Sequence, residues 1–462
     1  LLVICFGLFC GQLPPDVNES HYLTKAKHFW DPSWCPGDIF LSSAFSHWLF
    51  YASTGWITKF ASLSVYAWIG RIVTWCLLAA GWQRLSFRLI PVRGMAVVTA
   101  IAFLLLNDQF QLAGEWVIGG FEAKGIAYAA VIFAMERMIN RRWTHVWILL
   151  GLASAFHVLV GGWATIAALA SWMNCEVQWS SARSRLRSQL PWLLGGLLIA
   201  GIGILPPLLM EMQSSREMVQ AANRIYVDSR ISHHLLFGSF PVLHVARFGI
   251  IVLAWALLAR YLREWQLFKP IQSFCVASLF ISFGGLVLCG LEEQPGGLGD
   301  FSRSLLRFYW FRLSDFSVPA TLSLSCGAIV NEWIAGRFGN ARRFSGWLFV
   351  ILILAAGGAL IGEKWSDQRP IADQRSLPTY PEDTLRTRQT FENWQKVCFW
   401  IKENTPADSL FITPAEQQTF KWYAGRAEVA CWKDVPQDAE AMIEWYQRVQ
   451  ILCEPQKTYL AG

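Results

Sequence analysis

A bundle of α-helices threaded repeatedly through a membrane is the fold this sequence predicts, on three observations. Apolar residues make up 54% of the 462 and charged residues only 16%, against roughly 25% charged in an ordinary soluble domain. The apolar residues are gathered into runs, many of them near the about 20 residues that a spanning helix needs. Arginines and lysines cluster between those runs, in every second connection, as cytoplasmic loops require.

Taken in order, the runs read as spans over 1–10 (partial), 62–82, 94–106, 125–138, 145–158, 159–173, 190–210, 248–258, 271–291, 315–333 and 346–362. Basic clusters follow at Arg84, Arg88 and Arg93, at Arg137, Arg141 and Arg142, and at Arg183, Arg185 and Arg187. Two more follow at Arg260, Arg263 and Lys269 and at Arg337, Arg342 and Arg343. The alternation closes only if 145–173 is a short hairpin turning near 157–162. The long, acidic, aromatic segments 11–61, 107–124, 211–247 and 292–314 then share the opposite side with the tail. This predicts an α-helical polytopic bundle of about 11 spans over 1–362, in a bacterial inner membrane, with an extracytoplasmic tail.

From 363 to 462 the composition becomes that of a soluble α/β domain: helical over 391–404, 415–424 and 437–451, extended over 409–413 and 427–432. The opening at Leu1 inside an apolar run, and the close at Gly462 before a sheet is complete, are expected to mark a truncated first span and a truncated tail domain. No repeat is evident, which weighs against many transporter folds. The net charge of +6 is spread between apolar runs and forms no nucleic-acid stripe. The eleven cysteines make no CxxC pair, and most lie in apolar runs as small core residues.

The candidate chemistry starts in 11–61, where Asp16, Glu19, Asp31 and Asp38 stand among His21, Lys25, Lys27 and His28. A helix over about 17–29 puts Glu19, Tyr22 and Ala26 on one face. At a membrane boundary the low dielectric lifts a carboxylate toward neutrality while His21 or Lys25 holds it ionised, the condition of a general base. An interfacial acid on a solvated helix accounts for Glu19 as well. Asp16, after Pro14-Pro15, reads as a helix cap. Asp31 before Pro32 and Asp38 after Gly37 sit in turn contexts, though both would line the same mouth.

In 107–124, Glu115 precedes GGFEAKGIAY, where Gly119-Gly120 allows close backbone approach. Glu122 and Lys124 flank the start of a span, a place where charge is costly unless paired or working; a helix-entry Glu/Lys pair is the plain alternative. His157 lies at the hairpin turn, where a hydrogen-bonded core histidine competes with a functional one. Arg224, Arg230, His233 and His234 form a basic outer segment. Adjacent histidines diverge on a regular helix, which disfavours a metal pair and leaves phosphate recognition. Arg303 and Arg307, four apart on one helical face, with Arg312 after them, suit the phosphate of an anionic lipid; salt bridges to outer acids compete with that reading.

This layout resembles the GT-C superfamily: an acid just past the first span, amphipathic helices after it (39–60 would serve), eleven or so spans and an outer soluble lobe. These membrane glycosyltransferases, such as aminoarabinose transferases and protein mannosyltransferases, use polyprenyl-phosphate-linked sugars. In many the first loop carries an Asp-Glu or similar pair followed by Tyr-Ala-like helix residues; the matching text here is Asn18-Glu19-Ser20-His21-Tyr22, with Asn18 replacing the first acid. HFWDPSW, GGFEAKGIAY, FHVLVGGW, SRISHHL and NTPADSLFITP also resemble a group of bacterial multi-pass membrane proteins with no assigned reaction.

The resemblance implies an inverting sugar transfer on the outer face. Glu19 would act on the acceptor hydroxyl, with Asp38 and Glu122 as the further catalytic acids. Arg303, Arg307, Arg312 or Arg230 would stabilise the departing lipid phosphate. His21, Tyr22, Lys25, Asp31, Lys124, His157, His233 and His234 would complete the substrate site. The chain has no GxxxxGK[ST] loop and needs no nucleotide; the cofactor left open is a divalent metal on Asp31, Asp38 or Glu122. The rival is a non-enzymatic protein, a solute or lipid carrier or an assembly scaffold. A carrier should place its polar groups at mid-membrane, where Arg71 is the one plainly buried charge in an apolar run. A transferase should gather Glu19, Glu122 and the outer arginines around one outward cavity.

Overall fold

The computed structural model describes residues 1–176, 182–294 and 296–460, and side chains except those of 182–183 and 454–460. Among the described residues, seven helices are long and apolar enough to cross a membrane: Leu63–Leu89, Val158–Glu176, Ser184–Glu211, Val242–Tyr261, Lys269–Glu292, Arg312–Ile334 and Asn340–Lys364. The other runs read as spans form shorter helices, Leu2–Cys10, Arg93–Gln109, Ala123–Ile139 and Trp143–Phe156. The chain is a helical, multi-pass membrane protein.

Helix Arg312–Ile334 is the axis of the bundle. Its apolar window is 94% buried, whereas Ser184–Glu211 and Val242–Tyr261 bury 17% each and turn Leu198, Ile250 and Leu253 outward. Composition explains the difference, because small residues let helices approach closely where lipid gives no hydrophobic drive. At Gly327 an added Cβ would lie 2.4 Å from Thr99 Cγ2, so helix Arg93–Gln109 seats directly on this one. Axis hydroxyls bond locally, Thr321 Oγ1 donating to Ser317 O at 2.7 Å and Ser282 Oγ to Ser314 Oγ at 2.8 Å, while the buried Ser325 Oγ has no partner among the described residues.

The turn expected near 157–162 is a single residue. His157 leaves helical geometry (φ −145°, ψ 98°) while its N–H closes on Ala153 O at 2.8 Å. A Cβ on Gly161 would fall 2.1 Å from Ser154 N, so only glycine allows the two helices to close this tightly. Trp147 and Trp172, far apart in sequence, meet with ring centroids 6.4 Å apart.

The first loop folds as helix Glu19–Trp30 followed by Ile39–Ser42, Trp48–Thr54 and the 3-10 segment Gly55–Lys59, so the amphipathic stretch over 39–60 is broken into three pieces. In the tail, helices run over Thr384–Asn404, Phe420–Ala424 and Ala439–Leu460. Strands Leu410–Phe411 and Ala427–Glu428 pair in parallel, Leu410 opposite Ala427, and are shorter than the extended stretches the sequence suggests. The tail does not stand apart. Phe420 and Tyr423 share a core with Leu23, Ala26, Phe50 and Tyr51 of the first loop, and Trp445 shares another with Ile39 and Ala222.

Candidate functional site

Where the first and second loops, the 211–247 segment and the tail meet, they enclose a cavity of about 890 Å³. Its frame is a buried ion pair. Arg71, from helix Leu63–Leu89, donates Nε and Nη2 to Glu19 at 2.7 and 2.6 Å and Nη1 to Gln12 O at 2.5 Å. Glu19 also accepts from Phe121 N at 2.7 Å and Asp16 N at 2.8 Å. Fully buried and surrounded by donors, Glu19 does not line the cavity, which corrects its expected place as the reacting acid. Asp16 lines the cavity instead, its Oδ2 accepting from Gly120 N at 2.8 Å. Gly120 is required there, since a Cβ would meet Asp16 Cβ at 2.7 Å.

That stitching sets Glu122 beside the first loop. Asn18 Nδ2 donates to Glu122 Oε2 at 3.1 Å, Trp116 Nε1 donates to Oε1 at 3.4 Å, and Lys124 Nζ stands 3.6 Å away. Burial raises the pKa of Glu122, with Lys124 and the Asn18 amide acting against it. Glu115 is held by a second device. Asp315, at the head of the axis helix, accepts from Leu112 N, Ala113 N and Glu115 N at 2.7, 2.8 and 3.3 Å. Asn107 Nδ2 donates to Glu115 O at 2.8 Å. The Glu115 side chain meets Arg312 Nε at 2.9 Å and leaves its buried Oε1 without a partner among the described residues. Lys124 lies between Glu115 and Glu122, over the Trp116 ring at 4.0 Å.

The remaining wall is basic and aromatic. His21 donates Nδ1–H to Asp434 at 3.0 Å, and burial holds its pKa down in spite of that acid. Tyr22 OH meets His47 Nε2 at 3.1 Å. His47 is pushed down to about 3, by burial first and His21 second, and is therefore neutral; its ring lies 5.0 Å from that of His157. His157 Nε2 stands 3.4 Å from Arg312 Nη1. His233 and His234 do not diverge: both line the cavity with centroids 4.1 Å apart, and His234 Nδ1 closes on Ala113 O at 2.5 Å. Arg230, Arg307, Arg312 and Lys433 also face the cavity.

Four other expected site residues lie off it. Lys25 is buried, donating to Phe40 O at 2.6 Å and Ser43 Oγ at 2.8 Å. Asp31 is a turn acid accepting from Ser33 Oγ at 2.5 Å. Asp38 caps helix Ile39–Ser42 through Leu41 N at 3.0 Å, accepts Glu428 N at 3.2 Å and pairs with Lys421 at 3.3 Å. Arg303 turns from Arg307 to Asp228, Glu292 and Asp300. The three acids named for a divalent metal thus keep separate partners. Among the described residues, Glu428, Cys431 and Asp434 bring metal-type ligand atoms within 4.8 Å of one another, and the Lys421 ammonium reaches their carboxylates at 2.5 and 2.6 Å. His47 and Lys433 went unnoticed in the sequence, because a lone His in FSHW and a lone Lys in CWKDV carry no spacing signal.

Fold and site together define a multi-pass membrane protein whose polar loops enclose a charged chamber. Residues 392–452, which include Lys433 and Asp434, match a domain of unknown function, DUF6798. No curated protein matches the chain.

Proposed function

We propose that this protein transfers a sugar from a polyprenyl-phosphate donor to an acceptor, on the extracytoplasmic face of a bacterial inner membrane. The observation that carries the reading is Glu122. It is a buried cavity carboxylate held by Asn18, the residue that stands where GT-C-like first loops have the first acid of their pair, so the second loop supplies a carboxylate at that position, with the first loop's Asp16 on the same cavity. Burial makes Glu122 a stronger base than a solvated glutamate, and Asn18 and Lys124 steady its ionised form.

In the step this implies, Glu122 takes the acceptor hydroxyl proton and the freed oxygen bonds to the anomeric carbon. The bond from that carbon to the donor phosphate oxygen breaks, and its electron pair leaves with the lipid phosphate. Cationic side chains across the cavity offset that charge as it develops. Leu159, together with Ile204, Pro207 and Leu208 of the lipid-facing helix Ser184–Glu211, gives the cavity an apolar strip suited to a prenyl chain. The test is sugar transfer by the purified protein from polyprenyl-phosphate sugars. Glu122→Gln should lose about 10²–10⁴-fold in kcat, the usual contribution of a general base, while still binding donor. Unchanged turnover in that variant would remove the reading.

A further inference from the structure

The cations of the cavity differ in how they are satisfied. Arg312 has Glu115 at 2.9 Å, Arg307 has Glu211 at 2.9 Å, Lys364 has Asp108 at 2.7 Å, and Lys124 lies between two glutamates. Arg375 is exposed and needs no partner. Arg230 and Lys433 are only partly exposed, and among the described residues neither has a carboxylate partner. Arg230 is nonetheless held firmly: Nε donates to Trp432 O at 2.8 Å, Nη2 to Lys433 O at 3.3 Å, and the guanidinium lies 5.3 Å from the Trp432 ring centroid. That leaves Nη1 and the Lys433 ammonium with unused donors on the cavity wall.

We infer that Arg230 and Lys433 form the phosphate-binding end of the cavity, so that the tail segment of unknown function serves as the supplier of an anion ligand to the membrane bundle. Two desolvated cations side by side repel each other and lose hydration; an entering phosphate dianion reverses both costs and accepts charge-assisted bonds from each. The titration of neighbouring groups agrees. Burial, then Arg230, pulls Lys433 down to about 8, Lys124 adds to the fall, and Glu122 and Asp434 oppose it. Burial lowers Arg230 as well, and lowers His233, on which Arg230 and Lys433 act in the same direction. Arg303, Arg307 and Arg312 already face carboxylates, which assigns the phosphate to the tail end of the cavity and the sugar to the Glu115 and Glu122 end.

The identity of the lipid rests on the transferase reading; the anion site does not. Full-length protein in nanodiscs is titrated calorimetrically with inorganic phosphate, a short prenyl phosphate and the matching prenyl alcohol. Lys433→Gln, whose parent side chain makes no hydrogen bond among the described residues, should weaken prenyl phosphate roughly ten- to a hundredfold and leave the alcohol unchanged. Lys433→Arg should restore binding, and Arg388→Gln, which removes a charge from an exposed helix face, should do nothing. Wild-type affinity should fall above about pH 8 as Lys433 loses its proton, and Lys433→Gln should lose that dependence. Inorganic phosphate with the same Lys433 sensitivity marks a site for the phosphate group alone; binding of the prenyl form only marks a lipid site; both support the inference. Unaltered affinity in Lys433→Gln, or an equal loss in Arg388→Gln, overturns it. Phosphate binding without any sugar transfer by the wild type would fail the transferase reading alone. Transfer whose donor KM ignores Lys433→Gln would fail the anion site alone.

Discussion

Replacing Glu19 by glutamine separates architecture from chemistry at this site. Every group facing the Glu19 carboxylate is a donor: Arg71 Nε and Nη2, Phe121 N and Asp16 N, all within 2.8 Å. A carboxamide offers one acceptor oxygen and turns an NH₂ toward donors, while Arg71, 1% exposed, keeps its charge without its paired anion. Removing one partner of a buried pair costs about 3–5 kcal/mol, roughly two to four decades in a folding equilibrium. Thermal unfolding in detergent, followed by tryptophan fluorescence, should therefore show Glu19→Gln strongly destabilised, with activity lost only as folded protein is lost. The double variant Glu19→Leu with Arg71→Met should recover much of the stability, because an apolar pair of similar volume does not bury an unmatched charge. Glu122→Gln should behave oppositely. Its carboxyl is raised by burial, so its ionised form destabilises the fold above its ordinary range, and the amide should unfold no earlier than wild type while turnover collapses. A Glu19→Gln protein of wild-type stability with abolished turnover would refute this division of labour and make Glu19 the reacting acid.

Three further outcomes follow from the same geometry. Lys421→Met leaves the buried carboxylates of Asp38, Glu428 and Asp434, at 3.3, 2.5 and 2.6 Å from the lost ammonium, without their cation; it should release the tail from the first loop, seen as faster proteolysis of 420–452. Asp373 is raised by burial from 3.8 to about 6 despite bonds from Tyr423 and Thr419. Its proton is favoured in the folded state, so the stability it adds is full below about pH 4 and lost as pH rises through about 6; hydrogen exchange of helix Phe420–Ala424 should follow that slope, and Asp373→Asn should flatten it. Gly120→Ala drives a Cβ to 2.7 Å from Asp16 Cβ and 2.9 Å from Glu19 Cδ; it should cost about 1–3 kcal/mol and lower donor affinity by shifting Glu122.

Much of the bundle was legible because hydropathy is local. Each apolar run became a helix, and the reversal at His157 followed from the need to keep basic loops on one side. The site was legible as a neighbourhood: acids of the first two loops and cations of the third do face one cavity. Individual roles were not, because they depend on partners remote in sequence. Glu19 and Asp16 are three residues apart in one loop, and what separates them is Arg71, 52 positions on from Glu19, which takes one acid and leaves the other on the wall. Asp38 is withdrawn by Lys421 from the tail, and Arg303 by Asp228 and Glu292. Lys433 had no pattern to reveal it, since its significance lies in having no carboxylate paired with it among the described residues, its neighbour Asp434 being taken by His21 and Lys421, a property that only the packed tail defines.

The most direct measurement is a cryo-EM structure of the protein with a non-hydrolysable polyprenyl-phosphate sugar. The account predicts the phosphate within about 3 Å of Lys433 and Arg230, the sugar against Glu115 and Glu122, and the prenyl chain along Leu159, Ile204 and Leu208. Ligand density at mid-membrane among the hydroxyls of helix Arg312–Ile334, or outside this cavity altogether, would contradict it.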